Sequence, residues 1–220
     1  MAKVSQAHRL RDLLEDAIVE GRFLPGDRLD PDALALEYQC SRTPIREAIQ
    51  QLAMSGMVQV VAKRGTFVTE LSISELVERF EVMAQLEGLC GRLAARRITA
   101  DELALLQDVH RACQAKVEAG DSNGYYYENS LFHQRIYEAS HNQFLAQEAA
   151  RLHAALQPYR RMQLQVRMRL ESSFAEHDAI VAAIAAGEAQ QAETLLRDHV
   201  MIQGERFNDL VASVQQLKRA

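Results

Sequence analysis

Apolar residues recur at helical spacing from the start of the chain. Leu10, Leu13, Leu14, Ala17 and Ile18 share one face of a helix predicted over 5–21. Gly21 supplies its stop, and Leu24-Pro25-Gly26-Asp27 a turn. A short extended piece, Arg28-Leu29, follows. Asp30 is placed to cap a second helix, with Pro31 at the first position and Leu34, Ala35 and Tyr38 as its apolar residues. That helix ends near Gln39-Cys40. Ser41 is the next capping residue, and a third helix runs through Ile45, Ala48, Ile49, Leu52 and Ala53 to Gly56. The period then changes from helix to strand. Two β-rich runs, 57–61 and 66–69, flank the basic turn Lys63-Arg64-Gly65 and predict a hairpin. Helix, helix-turn-helix and hairpin, in that order, make a winged helix-turn-helix.

Beyond Leu71 the strand signals vanish, and Pro158 is the only proline. Helices are predicted at 73–98, 100–119, 122–140, 143–168, 172–186 and 189–216. Thr99 and Ser172 are the candidate caps, Gly120 and Gly187 the stops. The expected fold class is mainly α: an N-terminal winged helix-turn-helix over 1–70 and a C-terminal all-α helical bundle over 71–220.

Composition narrows the function classes. Hydrophobic residues are 48% and charged residues 25% of the 220, as in ordinary globular proteins. No apolar run reaches the roughly 18 to 20 residues that span a bilayer. The N-terminal pattern carries charges, so it reads as an amphipathic helix and not as a signal peptide. A cytoplasmic protein is expected. Cys40, Cys90 and Cys113 are too scattered for a disulfide framework or a zinc ribbon and read as small buried hydrophobes. The net charge of −5 argues against a nonspecific nucleic-acid binder. Within 41–66, however, Arg42, Arg46, Lys63 and Arg64 face one acid, Glu47. A basic patch on an acidic body suits sequence-specific DNA binding.

A recognition helix presents base-reaching side chains at its leading turn while its other face packs inward. Arg42, Thr43 and Arg46 occupy that turn. Arginine can grip guanine O6 and N7 with two hydrogen bonds. Ser41 and Thr43 can donate to phosphates, beside the free backbone N–H groups of the helix start. Gly65, without a side chain, lets the wing tip sit close to a groove wall. The plainer reading makes both arginines solvated helix charges; the preceding turn, the cap and the basic hairpin together favour DNA contact.

The segment RLDPDALALEYQCSRTPIREAIQQLAMSGMVQVVAKRGTFV resembles the winged helix of the GntR family, with its SRTPxREAL-like recognition helix and RGTFV-like wing. The remainder resembles the helical effector domain, of FCD type, of that family's FadR subfamily. The resemblance implies a homodimer on a palindromic double-stranded DNA operator, contacted through Arg42, Thr43, Arg46 and Gly65, with Arg64 as an additional contact. Asp32 departs from the pattern, standing where relatives often carry a basic residue that touches phosphate.

Seven histidines are present: His8, His110, His133, His141, His153, His177 and His199. Asn129 and His133, four apart, share a helix face. His177 and His199 lie on two later helices, and three helices can bring such residues together in a bundle core. Spacing alone leaves each as a surface or hydrogen-bonded core histidine. The resemblance goes further. Asn129-Ser-Leu-Phe-His133 is similar to the family's Asp/Asn-xxx-His element, and FAEHDAIVAAIAAGEAQQAETLLRDHV to its closing segment. Asn129, His133, His177 and His199 are then implied ligands of one divalent transition metal, zinc or nickel foremost. Asn129 offers a neutral amide where many relatives have a carboxylate, which weakens the expected affinity. Relatives often carry an arginine for an anionic effector at the position of Met83. Met83 and Gln85 are candidates to line the effector pocket, and Arg160 and Arg161, with Arg92, to replace that arginine. One of Tyr125, Tyr126 and Tyr127 can reach the same pocket. His141 reads as a helix-end residue and His153 as core or surface, while His8 and His110 carry no signal.

The function expected is a ligand-responsive transcriptional regulator, a repressor of a catabolic or transport operon released by a small organic acid. A hydrolytic enzyme is the competing class. The chain lacks an HExxH motif, and Glu176 is the single general-base candidate beside a ligand. A helical metal-binding scaffold is the third class, disfavoured by Arg42 and Arg46.

Overall fold

The computed structural model describes residues 5–164 and 169–201. They fall into two compact units. One comprises the residues up to Ser72 together with Ala154–Pro158; the other comprises Ile73–His153 and the residues from Tyr159 onward.

In the first unit, α1 (Gln6–Val19) starts at Ser5, whose hydroxyl accepts from the His8 backbone N–H at 3.2 Å. α2 (Pro31–Glu37) is capped by Asp30, with Pro31 where no backbone N–H is needed. α3 (Arg42–Met54) buries Ile45, Ala48, Ile49 and Leu52 on one face, and that face packs on α1 through Leu10, Leu14 and Ile18. Helical spacing thus joins two apolar stripes. β1 (Arg28–Leu29), β2 (Val58–Val61) and β3 (Gly65–Val68) form an antiparallel sheet in the order β1-β3-β2. Val60 pairs with Thr66 and Arg28 with Phe67. The extended piece at Arg28 is therefore a third strand beside the expected hairpin.

The second unit contains α4 (Ile73–Arg97), α5 (Ala100–Glu118), α6 (Ser122–Ala139), α7 (Gln143–Leu164) apart from its Ala154–Pro158 stretch, α8 (Arg169–Ala185) and α9 (Ala189–Val200). Thr99 and Glu102 make a reciprocal capping box on α5. α4 packs along α9, and α5 against α6 and α8. Glycines permit the first of these contacts: a Cβ on Gly88 would stand 3.1 Å from the Glu193 carbonyl oxygen, and one on Gly91 3.1 Å from that of Ala192. The core holds Leu76, Phe80, Phe132, Ile136, Ile180 and Leu196.

Two boundaries differ from the pattern-based expectation. α8 (Arg169–Ala185) already includes Ser172, whose hydroxyl donates to the Arg169 carbonyl at 3.1 Å instead of capping. The last helix ends at Val200, because Met201 adopts extended backbone (φ −61°, ψ 128°). The predicted helix positions 165–168 and 202–216 lie outside the described residues. Among the described residues no helix is long and apolar enough to cross a membrane.

Candidate functional site

The leading turn of α3 is exposed. Ser41, Arg42, Thr43 and Arg46 all face solvent, while Ile45, Ala48 and Ile49 face inward. Ser41 stands at the cap position without a side-chain bond to the helix. Arg42 Nε lies 2.5 Å from Asp32 Oδ1 on α2, and both side chains are exposed. On the wing, Arg64 is exposed with its guanidinium 5.9 Å from the Phe67 ring centre. Gly65 has φ +118°, a conformation that requires glycine whether or not DNA is near.

The second cluster lies inside the helical unit. α6 supplies His133, α8 His177 and α9 His199, all three buried. One ring nitrogen from each lies within 4.8 Å of those of the other two. His177 Nε2 and His199 Nε2 are 3.3 Å apart. An ion bound tetrahedrally at about 2.0–2.1 Å from two nitrogens holds them about 3.3–3.4 Å apart, so this pair fits a metal's ligands. Behind them stand two carboxylates. Glu87 Oε2 is 2.5 Å from His133 Nδ1, and Glu176 Oε2 is 2.5 Å from His199 Nδ1. Each carboxylate takes the Nδ1–H and so leaves Nε2 with its lone pair, the arrangement that orients imidazole ligands in metal sites. Three imidazoles suit a transition metal such as zinc, copper, nickel or iron and not calcium.

Titration favours the same state. Burial pushes His177 well below the usual histidine range, helped by His199 and His133. Burial also lowers His133, against the pull of Glu87. Burial pushes Glu87 upward, but His133, Arg160 and Tyr137 outweigh it and hold the carboxyl below its ordinary value. These directions favour neutral His133 and His177 beside an ionised Glu87.

A small pocket of about 30 Å³ opens beside the histidines; Asn129, Arg160, Arg169, Ser173 and His199 stand on its wall. Arg160 Nη2 donates to His133 Nε2 at 3.1 Å, and its Nη1 reaches Glu87 Oε1 at 3.5 Å. Arg169 Nη1 donates to both Glu176 oxygens at 3.1–3.2 Å.

The other expected pocket residues lie elsewhere. Gln85 is exposed, because it stands two positions from both Met83 and Glu87, which face inward on α4. Met83 is fully buried in the core and is not on the pocket wall. Arg161 is buried but donates to Asn123 Oδ1 at 2.6 Å and lies against the Tyr126 and Tyr127 rings. Tyr125 donates to Ser173 Oγ at 2.9 Å. His153 is a buried core histidine between Ser130 and Tyr137. Cys90 and Cys113 are buried, whereas Cys40 is partly exposed. Pattern reading missed Glu87, Arg169 and Ser173. Glu87 was detectable as a charge at an inward position of α4; Arg169 and Ser173 left no such signal.

Residues 6–68 match the model of the bacterial regulatory proteins of the gntR family, and residues 78–201 that of the FCD domain. The chain belongs to the GntR family. It is a DNA-binding transcriptional regulator with an FCD domain, and not an enzyme. The HTH-type transcriptional repressor GlaR of Escherichia coli K12 is 30% identical over 200 residues, covering 86% of this chain and 89% of that one. A protein of Paenarthrobacter nicotinovorans named "Probable D-xylose utilization operon transcriptional repressor" is 28% identical over 202 residues, covering 91% and 88%. Among solved structures, E. coli McbR/YncC superposes with a TM-score of 0.78 at 24% identity, covering 97% of this chain and 99% of that one, and shows the shared fold. FCD domains often bind metal, and the histidine trio lies within the FCD match.

Proposed function

We propose that this GntR regulator is a repressor of a catabolic or transport operon, released when a small organic acid binds beside a metal in its FCD domain. DNA reading is assigned to 1–70, and effector binding and dimerisation to 71–220. The protein acts as a cytoplasmic homodimer on a palindromic operator. Two of these relatives carry the name of repressor, which supports the direction of control.

The observation that carries the reading is the buried trio His133, His177 and His199 beside a pocket walled by Asn129, Arg160 and Arg169. His133, His177 and His199, with Asn129 completing the set, would hold zinc or nickel. A bound metal would supply a Lewis-acidic point for a carboxylate or hydroxyl oxygen. Arg160 and Arg169 hold anionic groups at the same wall through charge-assisted hydrogen bonds. On the DNA side, Arg42 and Arg46 read base edges, Ser41 and Thr43 hold phosphates, and Arg64 and Gly65 bring the wing to the duplex. Operator half-sites sit about 34–36 Å apart, so an effector that changes the spacing of two recognition helices releases one of them.

The test is an anisotropy titration against DNA upstream of the chain's own gene, with organic acids screened by thermal shift in the presence and absence of zinc. Specific binding that weakens with salt, and that an acid relieves only with metal present, supports the reading. Equal affinity for operator and random DNA overturns it.

A further inference from the structure

His133 has one lone pair to give. Its Nδ1 is paired with the Glu87 carboxylate at 2.5 Å, which fixes the proton there, so Nε2 is the acceptor nitrogen. That nitrogen is engaged by Arg160 Nη2 at 3.1 Å. A metal ion needs the same electrons. Arginine does not give up its proton, so it cannot share the nitrogen with a cation. Metal and guanidinium therefore exclude each other at this atom, by orbital occupancy and by like charge.

Arg160 is built to let go. Its second contact, Nη1 to Glu87 Oε1, is long at 3.5 Å, and Glu87 is also held by His133 and Tyr137. The guanidinium thus makes two single contacts with two different residues instead of a two-pronged clasp on one carboxylate. It already forms part of the pocket wall.

We propose that Arg160 competes with the metal for His133 Nε2, and that loading the metal turns this guanidinium into the pocket, where it holds a carboxylate of the effector. The inference rests on the metal reading above and adds an order: metal first, anion second. It makes the pocket a receptor for carboxylates only in the metal-loaded chain. By thermodynamic reciprocity, the anion in turn tightens the metal.

The experiment is zinc affinity, measured by competition with a chromogenic chelator at fixed pH and salt, for the wild-type chain, Arg160→Met and Arg160→Gln. Removing a competitor strengthens binding. Arg160→Met is expected to bind zinc about tenfold more tightly, the worth of one exchanged hydrogen bond. Arg160→Gln moves in the same direction. Glutamine stays polar but is too short to reach His133 Nε2, so the comparison survives if the methionine variant misfolds. Zinc affinity unchanged or weakened in the folded variants overturns the inference while leaving the metal site intact, because a residue that merely supports the fold would not tighten metal when removed. A wild-type chain that binds zinc no better than His177→Ala removes the metal reading and this inference with it.

Discussion

Arg42 Nε lies 2.5 Å from Asp32 Oδ1, so an acid on α2 holds one of the two arginines at the leading turn of α3. Both groups face water, where an ion pair is cheaply broken. Contact with a base edge would require Arg42 to leave Asp32. Asp32→Ala is therefore expected to tighten operator binding, since the arginine no longer gives up an ion pair and a negative charge beside the duplex is removed. Anisotropy titrations of both chains against operator DNA at fixed salt measure the gain. Equal affinity would mean that Arg42 does not leave Asp32 for the DNA.

Arg46 is exposed on the same turn, and no ion-pair partner is found for it among the described residues. Arg46→Ala should reduce the ratio of operator to random-sequence affinity by roughly 5- to 150-fold, the range for one lost two-bond contact to guanine. Binding to random DNA should fall much less. Competition gel shifts with both DNAs give the ratio directly, and a ratio equal to that of wild type would remove Arg46 from base reading.

Much of this interface was legible because its signals are local. The cap at Asp30, the period of Ile45, Ala48, Ile49 and Leu52, and the basic turn at Lys63-Arg64-Gly65 each act within one helix or one hairpin. The histidines were legible only through resemblance, since sequence does not state which helices meet. Arg160 and Arg161 illustrate the limit. They are neighbours in the chain, and a rotation of about 100° between helical positions sends one to His133 and the other to Asn123. Gln85 is exposed for the same reason, two positions from both Met83 and Glu87, which face inward on α4. Arg169 had no pattern to reveal it, because its role depends on Glu176, itself positioned by His199 across from α9.

Buried neutral histidines make stability depend on pH. His133, His153 and His177 all have lowered values in the fold, with burial as the leading cause. Below the unfolded value of about 6.5, the unfolded chain takes up these protons and the folded chain does not. Stability is thus fully present above about pH 6.5 and is lost as pH falls toward the folded values. Each such histidine contributes a slope of up to about 1.4 kcal/mol per pH unit in that window. Urea unfolding in chelator between pH 7.5 and 5.5 should show the loss, and His153→Gln should reduce the slope by one proton. A flat profile would mean that the histidines protonate in the folded chain.

The approach of α9 to α4 depends on two glycines. Gly91→Ala would place its Cβ 3.1 Å from the Ala192 carbonyl oxygen and 3.2 Å from Leu196 Cδ2. Backbone cannot give way as a side-chain tip can, so α9 must shift, at a cost of about 1–3 kcal/mol. His199 rides on α9, and zinc affinity should fall together with the urea midpoint. A variant with wild-type stability would show that the two helices have slack.

Glu176 tests whether the carboxylates behind the histidines matter to the metal or only to the fold. Its Oε2 accepts from His199 Nδ1 at 2.5 Å, and both its oxygens accept from Arg169 Nη1. In Glu176→Gln one oxygen becomes an NH2 group, so the amide can face only one of its two donors well and carries no charge for either. His199 loses the negative charge that fixes its tautomer and raises the basicity of Nε2. Zinc affinity is expected to fall about 10- to 100-fold, the usual effect of removing such a partner, while stability in chelator changes little because the group is about a quarter exposed. Chelator competition gives the first quantity and urea unfolding the second. Zinc affinity equal to wild type would mean that packing alone orients His199, and that the carboxylate serves Arg169 and the pocket wall instead.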